Sequence, residues 1–375
     1  MPGATAREPD SHRTFRMDRT FENQSAENGR AIRAGETPLG VSVVICTYNG
    51  AARLPQTLAH LAAQEKTGAI AWEVIVVDNA STDDTAKVAR RCWPADAPAP
   101  LRVVDEPRIG LSTARTRGFA EARYEIVSFI DDDNWVASDW INRVNETMSA
   151  DSRLGALNGL SYPVCEIEPP PWFERFRENY TVFTQEDLAR MGGLPRGLFG
   201  AGLNVRKAAW LGLRHADFEF NLSDAIGAKL SRGGDSELSF AIREADWKLA
   251  IDPSLRLQHF IPASRLNWAY LRRLKRESAI STVTLDAYNL PSDPGTGMKT
   301  RLRKTWGWHA MAAAKALLKD PRTLVLAPFC AMEGDPAVLA YEGWRGRLTG
   351  LLQLRGKYQA AMLKQRRWKV REPRA

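Results

Sequence analysis

The sequence has few cysteines and no long apolar run. Its four cysteines, Cys46, Cys92, Cys165 and Cys330, are widely spaced. They form no C-x-x-C pair and have no histidine nearby at ligand spacing, which argues against a disulfide framework and a structural zinc site. No stretch approaches the ~20 apolar residues that a membrane-spanning helix needs. The sequence therefore predicts a protein of the reducing cytoplasm whose contact with a membrane, if any, is peripheral.

The N-terminal segment also lacks apolar residues in series. Residues 1–39 are polar and rich in arginine, a composition typical of a disordered tail and not of a secretory signal. A glycine-rich G-x-G-x-x-G turn is missing after the first apolar run, VSVVIC. Its absence disfavours a nicotinamide-dependent oxidoreductase.

Acidic residues are scarce in the C-terminal part of the chain. Residues 291–375 contain 17 Lys or Arg against 6 Asp or Glu, whereas the whole protein has a formal net charge of only +8. Such a bias suits anionic partners such as lipid headgroups or phosphates. No recognised nucleic-acid-binding motif accompanies the charge, so nucleic acid is disfavoured.

Short β-branched runs alternate with helical patterns in the first half of the chain. Such alternation predicts parallel βαβ units, which form an α/β sandwich with a mostly parallel sheet. Helices are expected from Leu54, from Ser81 or Thr82, and from Ser112. The predicted strands are VSVVIC (41–46), EVIVV (73–77), LRVV (101–104) and EIVSFI (125–130).

Composition divides the rest of the chain. The expected α/β domain covers residues 40–290. Within it, prolines, aromatic residues and glycines between 160 and 200 predict loops and short helices. PSDPGTG, which begins at Pro291, reads as a linker. Residues 291–375 are expected to form a basic, mainly helical region that either contacts a membrane or packs on the catalytic domain.

Three adjacent carboxylates end the fourth predicted strand. Asp131, Asp132 and Asp133 occur in FIDDDNW, and like charges that close repel each other. Ligands of parallel sheets bind beyond the carboxyl ends of the strands, and Mn²⁺ or Mg²⁺ prefers such oxygen ligands. The sequence therefore predicts a cation site. In the alternative interpretation, Asp133 or Asn134 caps a helix that begins near Trp135.

Other polar residues follow the first strands. Thr47, Tyr48 and Asn49 come after the first strand, and Asp78 ends the second. Asp78 is placed to accept from a nucleobase or a ribose hydroxyl. Residues 81–84, which include Asp83 and Asp84, fit a helix N-terminus equally well.

Two later segments contain candidate functional residues, but their sequence patterns are less specific for a function. GLSTARTRG puts Arg115 in the first turn of a helix that Ser112 is expected to cap, where a phosphate can bind. GGDSEL places Asp235 and Glu237 after a double glycine, as a possible general base and its companion. His259 follows about twenty residues later. Helix capping and an ordinary buried histidine are the alternatives for this segment.

Taken together, VSVVICTYNG, VVDNASTDDT, GLSTARTRG, FIDDDNW and GGDSEL followed by QHF resemble the family 2 glycosyltransferases, from Val41 to roughly Arg265. The resemblance implies the GT-A fold, a Rossmann-like α/β/α sandwich that binds a nucleotide-diphosphosugar. It implies that residues 40–290 are the catalytic domain, with a nucleotide-sugar half at about 40–135 and an acceptor half at about 136–290. It also implies a divalent metal, Mn²⁺ or Mg²⁺, and a glycan or lipid-linked acceptor. Two positions depart from the common pattern: Gly234 stands where the family often has Glu, and Thr116 where Asn is common.

The resemblance assigns roles to individual residues. It implies that Thr47, Tyr48, Asn49, Asp78 and Arg115 bind the nucleotide-sugar.

In FIDDDNW it places Asp131 and Asp132 toward the ribose and Asp133, with Asp131, toward the metal. His259 is a further metal- or phosphate-facing candidate. Asp235 is the implied catalytic base and Glu237 its companion. The expected reaction is an inverting sugar transfer in the synthesis of a cell-surface polysaccharide or glycolipid. The alternatives are an inactive nucleotide-sugar-binding scaffold and a phosphatase with an aspartate nucleophile.

Overall fold

The computed structural model describes residues 37–192, 197–222, 233–289, 305–327, 333–358, 360 and 362. Nearly all of the predicted N-terminal tail therefore lies outside the described residues. So do the predicted linker at Pro291 and the cysteine at position 330.

Eight strands form one mixed sheet in the described part of the chain, in the order β3-β2-β1-β4-β7-β6-β8-β5. β1 pairs in parallel with β2 and β4, and β2 with β3. β7 runs antiparallel between β4 and β6. The strands are β1 Val41–Thr47, β2 Trp72–Asp78, β3 Leu101–Asp105, β4 Ile126–Phe129, β5 Asn134–Val136, β6 Leu154–Cys165, β7 Leu203–Arg206 and β8 Lys248–Ile261.

Helices cover both faces of this sheet. Those within the described residues are α1 Leu54–Ala62, α2 Thr85–Cys92, α3 Leu111–Glu121, α4 Trp140–Ala150, α5 Phe173–Phe176, α6 Gln185–Met191, α7 Lys207–His215, α8 Gly234–Glu244, α9 Trp268–Thr282, α10 Asp286–Asn289, α11 Trp306–Leu318, α12 Pro321–Leu326 and α13 Pro336–Gln353. None of them combines the length and the apolar character needed to cross a bilayer.

The strand β1 is buried on both faces, as its β-branched run predicts. Val44 belongs to a core cluster with Ala114 of α3, whereas Val43 belongs to a second cluster with Leu54 and Leu58 of α1. Because successive side chains of a strand point to opposite faces, the two clusters lie on opposite sides of the sheet. The structure is therefore an α/β/α sandwich.

Two helix starts differ from the sequence prediction. The helix expected from Ser81 or Thr82 begins at Thr85, because Asp83 accepts hydrogen bonds from the backbone and hydroxyl of Thr85 and holds the preceding residues in a turn. The helix expected to be capped by Ser112 begins at Leu111. The hydroxyl of Ser112 instead donates to the backbone carbonyl of Leu222.

The helix considered near Trp135 is not found. Asn134–Val136 is the short strand β5, which pairs antiparallel with β8. The next helix, α4, begins at Trp140. Pairing with a strand more than a hundred residues away overrides the local signal for a helix cap.

The C-terminal helices pack on the preceding part of the chain. An aromatic cluster joins Trp172 and Phe176 to Trp268 of α9 and to Val338 and Leu339 of α13. This packing is one of the two arrangements that the sequence left open for residues 291–375.

The helices α9 and α13 approach each other closely. The fully buried carboxylate of Glu342 on α13 accepts from Arg272 (2.6 Å) and Arg276 (3.1 Å) on α9. A Cβ added to Gly346 would lie 2.2 Å from the carbonyl oxygen of Arg276, and one added to Gly350 would lie 2.6 Å from that of Ile280. Only glycine fits at these two positions.

We predict opposite stability changes for two helical Gly→Ala substitutions. Gly346→Ala should lower the free energy of unfolding by about 1–3 kcal/mol, because the new methyl group meets backbone that cannot move aside. Gly212→Ala on α7, where a Cβ would contact nothing within 4 Å, should raise it by about 0.5–1 kcal/mol through helix propensity. Thermal and urea denaturation measure both. A stabilised Gly346→Ala protein would contradict the close packing of α9 and α13.

Candidate active site

The candidate site lies at the edge of the sheet where β1, β2 and β4 end. Thr47 and Asp78 are direct neighbours in the parallel register of β1 and β2. β4 runs parallel to β1 on its other side and leads directly into Asp131. The parallel topology therefore brings residues from three separate segments of the sequence to one edge.

Asp132 is neutralised by a bidentate arginine. Arg53 donates from Nε and Nη2 to the two carboxylate oxygens, each at 2.9 Å, and Thr47 donates to Oδ2 at 2.6 Å. The hydroxyl of Thr57 donates to the backbone carbonyl of Asp132. Burial raises the pKa of Asp132, although the hydrogen bond from Arg53 opposes this. Asp132 thus holds the turn after β4 in place.

Asp133 is compensated by different groups. Nη1 of Arg265 lies 3.2 Å from Oδ2 and Nε2 of His259 lies 3.6 Å from Oδ1. Burial raises the pKa of Asp133, but the nearby His259 and Arg265 outweigh it and hold the pKa well below its usual range. Asp133 is therefore a buried carboxylate that stays ionised. The Asn134 amide also donates to it.

Asp131 is the carboxylate with the least compensation. Within the described residues its side-chain oxygens accept no hydrogen bond. Burial and the charge of Asp133 raise its pKa to about 6, while Arg115 and His259 lower it. Such a group favours a further cation in its vicinity.

The segment after β1 is shaped by contacts with the loop after β2. Asn49 has a φ of 49° and its side chain accepts from the backbone of Thr82. Its own backbone donates to the hydroxyl of Ser81. The preceding residue, Tyr48, is 40% exposed, so its ring is accessible to a planar ligand.

Asp78 holds the turn after β2, and Asn79 positions the start of α3. Asp78 is half-buried and accepts from the backbone of Ser81. Asn79 donates to the carbonyls of Glu106 and Arg108 and accepts from the backbone of Gly110. The start of α3 is thereby tied to the end of β2. Because the helix begins at Leu111, Arg115 is its fifth residue and lies just beyond the first turn, whereas the sequence predicts it within that turn.

The side chains of Arg115 and Asp235 both lie beside Gly200. A Cβ added to Gly200 would lie 2.9 Å from Nη2 of Arg115 and 2.9 Å from Oδ2 of Asp235. Arg115 is 3% exposed and lowers the pKa of Asp131, so its charge also acts on the aspartates after β4. One guanidinium thus lies near both candidate acidic groups, and glycine at position 200 leaves the space between them open.

Asp235 lies in the first turn of α8 and does not cap it. The helix begins at Gly234 with Gly233 as its N-cap, without a side-chain cap. The Asp235 carboxylate is half-buried and accepts no hydrogen bond from any described residue.

Glu237 points away from this space. It is fully buried and accepts from the backbone N–H of Asn221 (3.0 Å) and of Leu222 (3.0 Å). Its side chain therefore holds the chain segment that precedes α8. Its role as a companion of the base stays a prediction.

The residues at this edge fit a divalent cation that is completed by ligand oxygens. No group of three or more His, Cys, Asp or Glu in the described parts of the chain is arranged to hold a metal by itself. However, Asp131 has a carboxylate without a hydrogen bond, and Nδ1 of His259 is buried and has no partner within those parts. Mg²⁺ and similar ions usually take one or two carboxylates and complete their coordination with substrate phosphates.

Three residues of the site were missed by the sequence analysis. Arg53 and Arg265 pair with the central aspartates, and Gly200 leaves room between Arg115 and Asp235. The unbalanced charge of three adjacent aspartates was a signal that cations must lie nearby. Nothing in the sequence indicated which of the many arginines supply them.

Residues 42–210 match the family model described as glycosyl transferase family 2. The chain is 25% identical over 322 residues to the succinoglycan biosynthesis protein ExoM of Rhizobium meliloti, which covers 84% of this chain and 94% of that protein. It is 32% identical over 93 residues to the undecaprenyl-phosphate 4-deoxy-4-formamido-L-arabinose transferase of Pseudomonas paraeruginosa, 25% of this chain and 27% of that protein.

A solved structure shares the fold. The mannosyltransferase PcManGT from Pyrobaculum calidifontis, in complex with GDP-Man and Mn²⁺, superposes with a TM-score of 0.50 at 19% identity. The alignment covers 89% of this chain and 88% of that one. The likeness confirms the GT-A fold expected from the sequence.

We predict that Arg53→Met lowers the free energy of unfolding by about 3 kcal/mol, because it leaves the buried Asp132 charge unpaired. The double variant Arg53→Met/Asp132→Asn should recover part of this loss. Arg143→Met is the matched control, since its ion pair with Asp139 lies on the surface of α4 and should matter little. Denaturation curves of the four proteins decide the point. Equal loss in both single variants would contradict the role given to Arg53.

Proposed function

Because residues 42–210 match the model of glycosyl transferase family 2, we propose that this chain is a member of that family and moves a sugar from a nucleotide-diphosphosugar to an acceptor hydroxyl with inversion at the anomeric carbon. The observation that carries the proposal is the position of Arg115, which lies near Asp235 on one side and acts on Asp131 on the other. A leaving diphosphate needs a positive charge and an attacking hydroxyl needs a carboxylate base, and both must lie within one small space.

The nucleotide part of the donor is proposed to bind at the ends of β1 and β2. Tyr48 supplies an exposed ring for stacking on the base, and Asp78 an acceptor for a base or ribose donor. Asn49 shapes this segment through its contact with Thr82. Thr47 and Asp132 are already hydrogen-bonded to each other, which supports a positioning role for both beside any contact with the ribose.

The diphosphate is proposed to lie between Arg115 and the aspartates after β4. Asp131, Asp133 and His259 would hold a Mn²⁺ or Mg²⁺ ion there. Neutralisation of the diphosphate charge is the chemistry that such an ion supplies when bound. Arg115 contributes a fixed positive charge to the same leaving group, and Arg265, next to Asp133, provides a second one.

Asp235 is proposed as the catalytic base. Its carboxylate is half-buried, accepts no hydrogen bond from the described residues and lies near Arg115. It is therefore available to take the proton of the acceptor hydroxyl as that oxygen attacks the anomeric carbon. A single displacement of this kind inverts the configuration. Glu237 supports the base indirectly, because it fixes the segment 221–222 that precedes α8.

The acceptor is proposed to be a glycan or a lipid-linked glycan in the synthesis of a cell-surface polysaccharide or glycolipid. The names of the two relatives, a succinoglycan biosynthesis protein and an undecaprenyl-phosphate sugar transferase, support this class of product. Since lipid-linked acceptors reside in membranes, we also propose that the protein contacts the inner face of the cell membrane peripherally through its C-terminal region.

We predict that Asp235→Asn and Asp133→Asn each reduce transfer at least ~100-fold, the scale of a lost general base or charge contact. Asp235→Asn should keep the wild-type affinity for the donor, whereas Asp133→Asn should also weaken Mn²⁺-dependent donor binding. Transfer is measured by release of the nucleoside diphosphate, and binding by calorimetry with and without Mn²⁺. Asp96→Asn, at an exposed acidic residue, is the control. Wild-type transfer by either site variant would refute its assigned role.

We further predict that one donor sugar stabilises the protein only when Mn²⁺ or Mg²⁺ is present. UDP-, GDP- and dTDP-sugars are compared by thermal shift. A donor at a hundred times its dissociation constant should stabilise the native state by about 2.7 kcal/mol. A donor that stabilises the protein equally in EDTA would contradict the proposed cation site.

A further inference from the structure

Helix α11 is apolar on two opposite sides. Its inner side contributes Trp306, Ala310 and Ala313 to a core cluster that also contains Leu351 and Tyr358. A globular helix with one packed face normally carries polar residues on the other. The outer side of α11 departs from that rule.

The outer side exposes large apolar side chains in helical spacing. Met311 is 58% exposed and Leu318 66% exposed, and seven residues separate them, which places both on the same face of the helix. Trp308, also partly exposed, precedes Met311 by three residues. The neighbouring helix α12 adds Val325, which is 62% exposed. Single exposed apolar residues are ordinary, but several within two neighbouring helices are a mark of an interaction surface.

Basic side chains accompany these apolar residues. Lys315 lies between Met311 and Leu318 on the same face of α11 and is exposed. Lys319 and Arg322, at the junction of α11 and α12, are exposed as well. The acid within this stretch, Asp320, caps α12 by accepting from the backbone of Thr323. The surface thus combines apolar groups with positive charge.

We propose that Met311, Leu318, Val325, Lys315, Lys319 and Arg322 form a docking surface for a bilayer that contains anionic lipid. Apolar side chains that insert at the headgroup boundary, with lysines and arginines beside them, are the combination that binds such membranes. Each basic residue near the surface gains from the negative potential of the lipid. The composition of residues 291–375 has a net charge of the same sign.

This inference deepens the proposed function. It rests on that function in one respect, namely that a lipid-linked acceptor lies in a membrane. It names the surface of contact and the lipid chemistry. The residues involved belong to α11 and α12, whereas the candidate active site is built from β1, β2, β4, α3 and α8. Lipid binding and sugar transfer are therefore separable by substitution.

Vesicle flotation of the full-length protein tests the proposal. We expect binding to vesicles of phosphatidylcholine with roughly 30% phosphatidylglycerol, because the negative surface potential of this anionic lipid attracts lysine and arginine. Binding to pure phosphatidylcholine should be weaker, and salt should reduce the binding to the anionic vesicles. Absence of binding to the anionic vesicles would overturn the proposal.

Two variants locate the surface. Met311→Gln/Leu318→Gln/Val325→Gln should weaken binding at least ~10-fold, since it removes the apolar contact. Lys315→Glu/Lys319→Glu/Arg322→Glu should abolish the preference for anionic lipid.

The control variant is Ile167→Gln/Leu211→Gln, which alters exposed apolar residues elsewhere and should bind as wild type. Melting temperatures verify that all three variants fold. Donor turnover with a soluble acceptor should be unchanged in each, so a failed membrane proposal is distinguishable from a failed assignment of the enzyme. Equal vesicle binding by the apolar variant and wild type would overturn the proposal. So would loss of self-association in that variant without any vesicle binding by wild type, which would assign the surface to a second copy of the chain.

Discussion

The structure depends on the compensation of three adjacent negative charges at the end of a buried strand. Asp132 and Asp133 are each less than a tenth exposed, and burial of a carboxylate without a partner is costly. Different side chains lie beside the different aspartates: Arg53 binds Asp132, and Arg265 and His259 lie beside Asp133. The incomplete compensation of Asp131 is what leaves the site with capacity for a further positive charge.

Much of the fold could be predicted from local patterns. The β-branched runs at 41–46 and 73–77 are strands because residues of that type fit a sheet covered on both faces, and the alternation with helices determines a parallel arrangement. The leucines at positions 54, 58 and 61 are buried in α1 as their spacing predicts. The polar residues that follow these strands are found at one edge of the sheet for the same topological reason.

The remaining features depend on contacts between distant segments, which leave no local signal. Asn134–Val136 could be read as the start of a helix, but pairing with β8 makes it a strand. Arg265 lies 132 residues from Asp133 in the sequence, so no spacing rule connects the two. Likewise, Gly200 is one of many glycines, and its value becomes visible only where Arg115 and Asp235 meet above it.

Arg265 ends the 3-10 turn Ala263–Arg265, two residues before Asn267, the N-cap of α9, and its backbone carbonyl accepts from the hydroxyl of Tyr180. α9 in turn is fastened to α13 through Glu342 and through the glycines that permit close approach. The cation beside Asp133 thus lies in the turn that leads into a helix packed against α13 of the C-terminal region. Through α9 and α13, that region is part of the framework that sets the electrostatic potential at the sheet edge.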